Sequence, residues 1–349
     1  MNKVFSIIEK FAPEAVEIMQ IRYEVLRQVL YKQPIGRRQL CKELGLRERL
    51  IRGEIELLRA RGAVEITQAG IGLTPFGEGL LNDIDEFIPS LFNTRILAEQ
   101  IKKEFDLEQV IVVPGDSFKN PDNKKDMGRA AGSFLQKSLF PGCIVAVTGG
   151  TTLAEMVTAI GGGIDAQDVL VVPARGGLGE EMEQQAGTIA ARIAKAIGAQ
   201  YRLLHVPDNL EETTAEILKN DAHIIEVVNI IKASNILFHG IGSAIEMANR
   251  RGLTPGEIEF LLQRKAVGEM LRYYFDKQGK IVYEVAGIGL ELSNLKNINT
   301  IVAVAGGSNK ASAIEAVLRS GQQNVLITDE GAAKGLLKNK VRKDDINGS

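Results

Sequence analysis

The chain has 349 residues, 25% of them charged and 45% from the AVILMFWYC set, with a net charge of −2. That length leaves room for a small and a large domain, and that charge excludes a chain that is basic throughout. Cys41 and Cys143, the two cysteines, lie far apart, which excludes a disulfide framework and fits a reducing cytoplasm.

Met1–Lys10 alternates apolar and charged residues and reads as no signal peptide. No run approaches the roughly 18 apolar residues of a membrane span. The pattern predicts four regions: a helical, Arg-rich domain over 1–75, a helical connector over 76–106, an alternating strand–helix domain over 107–338 and a polar, flexible tail over 339–349.

In the first region the spacing predicts helices over Ile21–Tyr31, Gly36–Leu44 and Arg47–Arg61. Gly45 ends the second helix and Gly62 the third. The short turn Leu44-Gly45-Leu46 is a helix-turn-helix signature. Ala63–Thr67 and Gly72–Thr74 read as a wing. Between Gln20 and Gly62 stand eleven Lys or Arg and five Glu, a local net of +6. Arg47, Arg49 and Arg52 crowd the start of the third helix, where a recognition helix reads base edges, and Arg37 and Arg38 suit flanking phosphates. The same features also fit a dimerisation or docking module with a solvated basic face. Cys41 reads as core.

In the connector Leu80, Leu81, Ile84, Phe87, Ile88 and Leu91 recur at helical spacing. They predict either a helix packed on its own domain or a dimer contact.

Beyond it, apolar β-branched runs recur at Val110–Val113, Ile144–Val147, Val169–Val172, Tyr201–Val206, Asn235–Phe238, Ile301–Ala305 and Asn324–Ile327. Helical stretches such as Met127–Phe140, Gln184–Ile197 and Ala311–Ser320 lie between them. This predicts an α/β fold with a parallel sheet covered on both faces. Ile281–Val285 alternates and suits an edge hairpin. Glycine or polar loops follow four of the strands, at Thr148–Thr152, Ala174–Gly177, Gly240–Ser243 and Gly306–Lys310. In a parallel sheet they leave the same edge and converge on a ligand.

The loop after Ile144–Val147 reads Thr148-Gly149-Gly150-Thr151-Thr152 and runs into a helix over Leu153–Ile160. Glycines admit a close backbone, the helix N-terminus offers unpaired N–H groups, and Thr151 and Thr152 add hydroxyls. These are the parts of a phosphate cradle. The loop lacks the lysine of a nucleotide-binding P-loop, and Lys310 supplies that charge from the fourth loop. Arg175 and the Arg250-Arg251 pair suit a second anion, and Gln185 and Glu269 suit sugar hydroxyls. For Arg250, Arg251, Gln185 and Glu269, a solvated helix face or a surface ion pair is the competing reading. Gly240-Ile241-Gly242 imitates a dinucleotide fingerprint but has no ribose-binding acid at the required distance. His205, His223 and His239 stand on separate segments, and no cluster has metal-ligand spacing.

Four motifs occur in order: V-T-G-G-T-T-L-A-E-M (Val147–Met156), V-P-A-R-G-G (Val172–Gly177), H-G-I-G (His239–Gly242) and V-A-G-G-S-N-K-A-S-A-I (Val304–Ile314). In this the chain resembles the SorC branch of bacterial sugar-responsive transcriptional regulators. The likeness covers essentially the whole large region. It implies a winged helix-turn-helix domain joined to a Rossmann-like effector domain related to sugar-phosphate isomerases and deaminases. It implies a repressor of a glycolytic operon, binding operator DNA as a homodimer or homotetramer. It further implies the effector fructose 1,6-bisphosphate, with no cofactor, held by Gly149, Gly150, Thr151, Thr152, Arg175, Gln185, Arg250, Arg251, Glu269 and Lys310. About 20 residues precede the first predicted helix, and the resemblance assigns them no role. The rival readings are an isomerase or deaminase with an added basic domain, and a sensor acting through protein partners.

Overall fold

In this computed structural model residues 2–160, 166–179 and 181–347 are described. The chain divides into two units, Met1–Arg95 and Ile96–Ser349. Among the described residues no helix is long and apolar enough to cross a membrane.

The small unit opens with α1 (Asn2–Phe11) and α2 (Pro13–Lys32), followed by α3 (Arg37–Leu44) and α4 (Glu48–Ala60). Gly45, at φ 64°, stops α3 in the left-handed region, which costs a glycine no steric strain. The wing is real: β1 (Val64–Ile66) pairs antiparallel with β2 (Ile71–Leu73), Val64 opposite Leu73. Val25, Val29, Leu40, Ile51 and Ile55 form the centre of one core. Helix α2 starts eight residues before the predicted Ile21, because Pro13 at its first turn already has the helical φ. The segment before the predicted helix thus has a structural place. Val16 and Met19 pack against the core, and the Phe5 ring stacks on Phe87 with centroids 6.4 Å apart.

The connector expected over 76–106 is not a separate piece. Helix α5 (Pro75–Ile84), a 3-10 turn at Asp85–Phe87 and α6 (Ile88–Leu91) bury Leu81, Ile88 and Leu91 in the winged-helix core. Thr74 caps α5, its Oγ1 accepting from Gly77 N at 3.1 Å. The last stretch, α7 (Thr94–Phe105), sends Ile101 into the core of the large unit. The apolar stripe is therefore buried on its own domain, with Leu80 and the neighbouring Phe76 left outward.

The large unit's strands are β3 (Gln109–Val113), β4 (Ile144–Val147), β5 (Leu170–Pro173), β6 (Gln200–Tyr201), β7 (Ile236–His239), β8 (Gly242–Ser243), β9 (Gly268–Met270), β10 (Tyr273–Phe275), β11 (Ile281–Glu284), β12 (Thr300–Val304) and β13 (Val325–Asp329). Among the described residues a seven-stranded sheet has the order β3-β13-β12-β7-β4-β5-β6, with parallel pairing throughout. Successive residues of a strand face opposite sides. Ala146, Leu237 and Ala303 enter one core, while Val145, Val147, Phe238 and Val302 enter the other. That is why these strands read as continuous apolar runs.

Chain direction across the sheet reverses between β4 and β7: β5 and β6 lie on one side, β7, β12 and β13 on the other. Such a switch point opens a crevice at the carboxyl ends of the strands. A second, antiparallel sheet runs β11-β10-β9-β8, with β11 at its edge as the alternation of Ile281–Val285 predicts.

One expectation fails at the margin. The strand over Tyr201–Val206 shortens to Gln200–Tyr201, the sheet's last strand, and the chain then leaves the ladder ahead of Pro207. The tail expected over 339–349 begins within the final helix, which runs from Glu330 to Asn347 and buries Ala332, Ala333 and Leu336 near its start. Gly348 and Ser349 lie outside the described residues.

Candidate effector pocket and DNA-reading face

The four predicted loops do converge. They line a cavity of about 380 Å³ at the switch point, with Thr148–Thr152 after β4, Arg175 after β5, Gly240–Gly242 after β7 and Gly306, Asn309 and Lys310 after β12.

The first wall is the cradle. Gly150 precedes the helix Thr151–Ala159 with φ 131° and ψ 157°, a conformation reserved for glycine. A Cβ on Gly149 would stand 2.5 Å from Gln184 O, so that neighbour must also be glycine. Gly150 N is already used, donating to Gln184 O at 2.9 Å. The N–H groups of the first helical turn have no intrahelical partner and suit an anion. Thr151 and Thr152 stand in that turn and line the cavity. Thr148 braces the wall instead. Its Oγ1 accepts from Gly240 N at 3.2 Å and ties the β4 and β7 loops together.

Lys310 faces the cradle from the next loop. Its Nζ lies 3.9 Å from Glu246 Oε2. Burial lowers its pKa below the ordinary lysine value, and the charges of Lys124 and Arg250 push the same way, against Glu246 and Glu269. Sequence reasoning missed Lys124, which donates to Thr151 Oγ1 at 3.4 Å from the first turn of the helix Asn123–Ser138. It also missed Asn309, Ser117 and Glu246 on the lining. A lysine after the loop following β3 was the available signal for Lys124.

The expected second anion site is only partly there. Arg250 lines the cavity, but Arg251 does not. Adjacent residues on a helix point about 100° apart, and Arg251 turns into the protein. Its guanidinium donates to Asp208 Oδ2 at 3.0 Å, Glu269 Oε1 at 2.7 Å and Leu271 O at 2.6 Å. Burial opposes its charge, yet Glu269 and Asp208 outweigh burial and hold its pKa above the usual arginine value. Arg175 lines the cavity but is also paired with Asp208, leaving its Nε without a partner. Glu269 reaches the lining with its other edge committed to Arg251. Gln185 does not reach the main cavity. It stands at the N-cap position of the helix Ala186–Ile197 without a side-chain capping bond, and lines a small adjoining hollow with Gly149, Arg175 and Gly176.

One carboxylate fastens the rim. Asp329 Oδ2 accepts from Ser117 N at 2.7 Å and Gly307 N at 2.8 Å, and Oδ1 accepts from Ala332 N at 2.8 Å. Asp116 Oδ1 accepts from Ser308 N at 3.0 Å. His239 is buried at the end of β7, and burial lowers its pKa to about 4, so it stays neutral. Among the described residues no group of three His, Cys, Asp or Glu is placed to hold a metal.

In the small unit, the module's glutamates neutralise some of its cations: Arg22 pairs with Glu54 at 2.7 Å, Arg27 with Glu24 at 2.6 Å, Lys32 with Glu43 at 2.7 Å and Arg59 with Glu56 at 3.5 Å. Among the described residues, no ion pair or side-chain hydrogen bond engages Arg37, Arg38, Arg47, Arg49 or Arg52. Arg47 precedes α4 as its N-cap, and Arg49 and Arg52 stand exposed on its first two turns. Arg38 is exposed and Arg37 half-buried on α3. The opposite face of α4 buries Ile51, Ile55 and Leu58.

Known proteins match both units. Residues 90–338 match the sugar-binding domain family (Sugar-bind), and residues 18–88 match the CggR N-terminal DNA binding domain. The central glycolytic genes regulator of Priestia megaterium is 41% identical over 97% of this chain and 99% of its own length. That of Bacillus subtilis is 38% identical over 97% and 100%. A SorC family transcriptional regulator from Enterococcus faecalis, 39% identical, superposes with a TM-score of 0.65 over 69% of this chain and 99% of that one. The full-length sorbitol operon regulator SorC from Klebsiella pneumoniae, at 21% identity, shares the fold with a TM-score of 0.67 over 89% of this chain and 96% of that one.

Proposed function

The chain belongs to the SorC family of sugar-binding transcriptional regulators, and from that premise we propose that it represses a glycolytic operon and that fructose 1,6-bisphosphate, or a closely related phosphosugar, is its effector. It is a regulator rather than an enzyme: it pairs a DNA-binding domain with a sugar-binding one, as its named relatives do.

One observation carries the effector reading. Lys310, Lys124 and Arg250 crowd onto one cavity at a helix N-terminus, close enough for two of them to disfavour the charge of the third. An anion relieves that repulsion. Thr151, Thr152, Lys124 and Lys310 hold one phosphate, with Gly149 and Gly150 bringing the backbone close. Arg250 and the half-satisfied Arg175 meet the second. Glu269 accepts a sugar hydroxyl, and Gln185 takes part from the adjoining hollow. Arg251 acts by holding Asp208 and Glu269 in place.

Response to the sugar is linkage. Operator DNA favours one arrangement of a homodimer or homotetramer, and an effector that prefers another weakens DNA binding by the same free energy. A coupling of about 1–3 kcal/mol changes operator affinity about 5- to 150-fold. Calorimetric titration of the full chain with fructose 1,6-bisphosphate, fructose 6-phosphate and glucose 6-phosphate tests the reading. A bisphosphate that binds no more tightly than either monophosphate rejects the two-anion site.

A further inference from the structure

Gly53 lies in the interior of α4, exposed, and a Cβ added there would meet nothing within 4 Å. Its φ is not positive, so its backbone asks for no glycine. Glycine is the least helix-favouring residue after proline. Gly77 in α5 makes the contrast: a Cβ there would stand 2.0 Å from Ala63 O, so the fold itself requires that glycine. Nothing inside the protein requires Gly53, and α4 is weaker for having it.

The position explains the choice. Arg49 lies four residues before Gly53 and Glu56 three after, which puts all three on one line of the helix, across from buried Ile51, Ile55 and Leu58. Leu50 and Leu57 flank that line and are 39% and 45% exposed. An α-helix with its side chains is about 10–12 Å across, and the major groove of DNA is about 12 Å wide. The central line of a helix lying in that groove has little room to spare.

We propose that Gly53 is a point of close approach to DNA: the bare backbone there seats α4 against the floor of the major groove and brings Arg49 and Leu50 onto base edges. Arginine suits a guanine edge, and an apolar tip suits a thymine methyl group. This rests on the reading of α4 as the recognition helix.

The test uses the full-length chain without sugar phosphate and, as probe, the duplex that the unaltered protein selects from a random-sequence pool. Gly53→Ala should melt at a higher temperature, because α4 gains helix propensity, yet bind that duplex about tenfold or more weakly. Gly53→Leu should bind it more weakly still. Gly79→Ala, the same change at an open position of α5, should raise the melting temperature and leave duplex affinity alone. The inference is overturned if Gly53→Ala binds as tightly as the unaltered chain, or if Gly79→Ala weakens binding equally. Arg49→Ala separates the two levels. If Arg49→Ala binds normally, or the unaltered protein selects no sequence, α4 is not the reading helix. If Arg49→Ala weakens binding and Gly53→Ala does not, only the close approach is lost.

Discussion

Arg251 donates to Glu269 across 2.7 Å of fully buried space. Two residues that sequence pattern assigns to a ligand are thus each other's partner, and Asp208 is the third member of the group. Arg251→Met should leave buried Glu269 without its cation and Asp208 with Arg175 alone, and destabilise the large unit by about 3–5 kcal/mol. Arg250→Ala, one residue earlier on the cavity wall, should change stability by less than about 1 kcal/mol. It should weaken bisphosphate binding about tenfold, the loss of one charge-assisted hydrogen bond. Thermal melts and calorimetry on the two variants check the split. Equal effects on folding and binding would mean that the neighbours share one role.

Lys310 makes effector binding pH-dependent. Its lowered pKa means that the cation is lost before pH 10.5 is reached, so bisphosphate affinity should fall on the alkaline side of neutrality. Stability of the ligand-free chain runs the other way. The unfolded state binds this proton more tightly, so raising the pH through the folded pKa toward 10.5 relieves the cost of a half-buried charge. Lys310→Met should remove both slopes while leaving operator binding intact. Titrations and urea melts from neutral to alkaline pH measure them. A variant with an unchanged affinity slope would remove Lys310 from the site.

The unpaired arginines should divide by salt dependence. Arg38→Ala, at a position proposed to meet a phosphate, should weaken binding to all duplexes alike and reduce the slope of log affinity against log salt by about one. Arg52→Ala, on α4, should cost about 1–3 kcal/mol on the selected duplex and relax its sequence preference. Effector affinity should not move in either. Duplex binding at several salt concentrations decides it, and normal binding by both would place the DNA-reading face elsewhere.

His239 should shape the acid limb of stability. Its folded pKa of about 4 lies below the ordinary 6.5, so the unfolded chain takes up the proton first. Stability from this group is complete above pH 6.5 and is lost as the pH falls toward 4, a contribution of about 3 kcal/mol. His239→Asn should flatten that part of the profile in urea melts between neutrality and pH 4. An unchanged profile would assign the acid sensitivity to carboxylates instead.

Much of this was legible because the relevant signals are local. A strand covered on both faces is apolar along most of its length, so β4, β7, β12 and β13 stand out by composition, with polar residues such as His239 and Asp329 at their carboxyl ends. The glycines and threonines of Gly149–Thr152 are dictated by one tight turn and one helix start. What was not legible depends on partners distant in sequence. The role of Arg251 is set by Asp208, 43 residues away on another loop. Lys124 reaches Thr151 only because the helices Asn123–Ser138 and Thr151–Ala159 pack side by side. The connector left two readings open for a related reason: an apolar stripe states that something covers it without saying what, and here its own domain does.

Asp329 gives the cavity a particular kind of stiffness. One of its oxygens serves two loops, Ser117 and Gly307, and the other pins the start of the final helix. These walls therefore share one anchor, so a ligand that drew Lys310 inward would also pull on the loop that carries Phe118. On the proposed reading, grip on a phosphosugar would reach the outer surface of the rim, where Phe118 stands exposed.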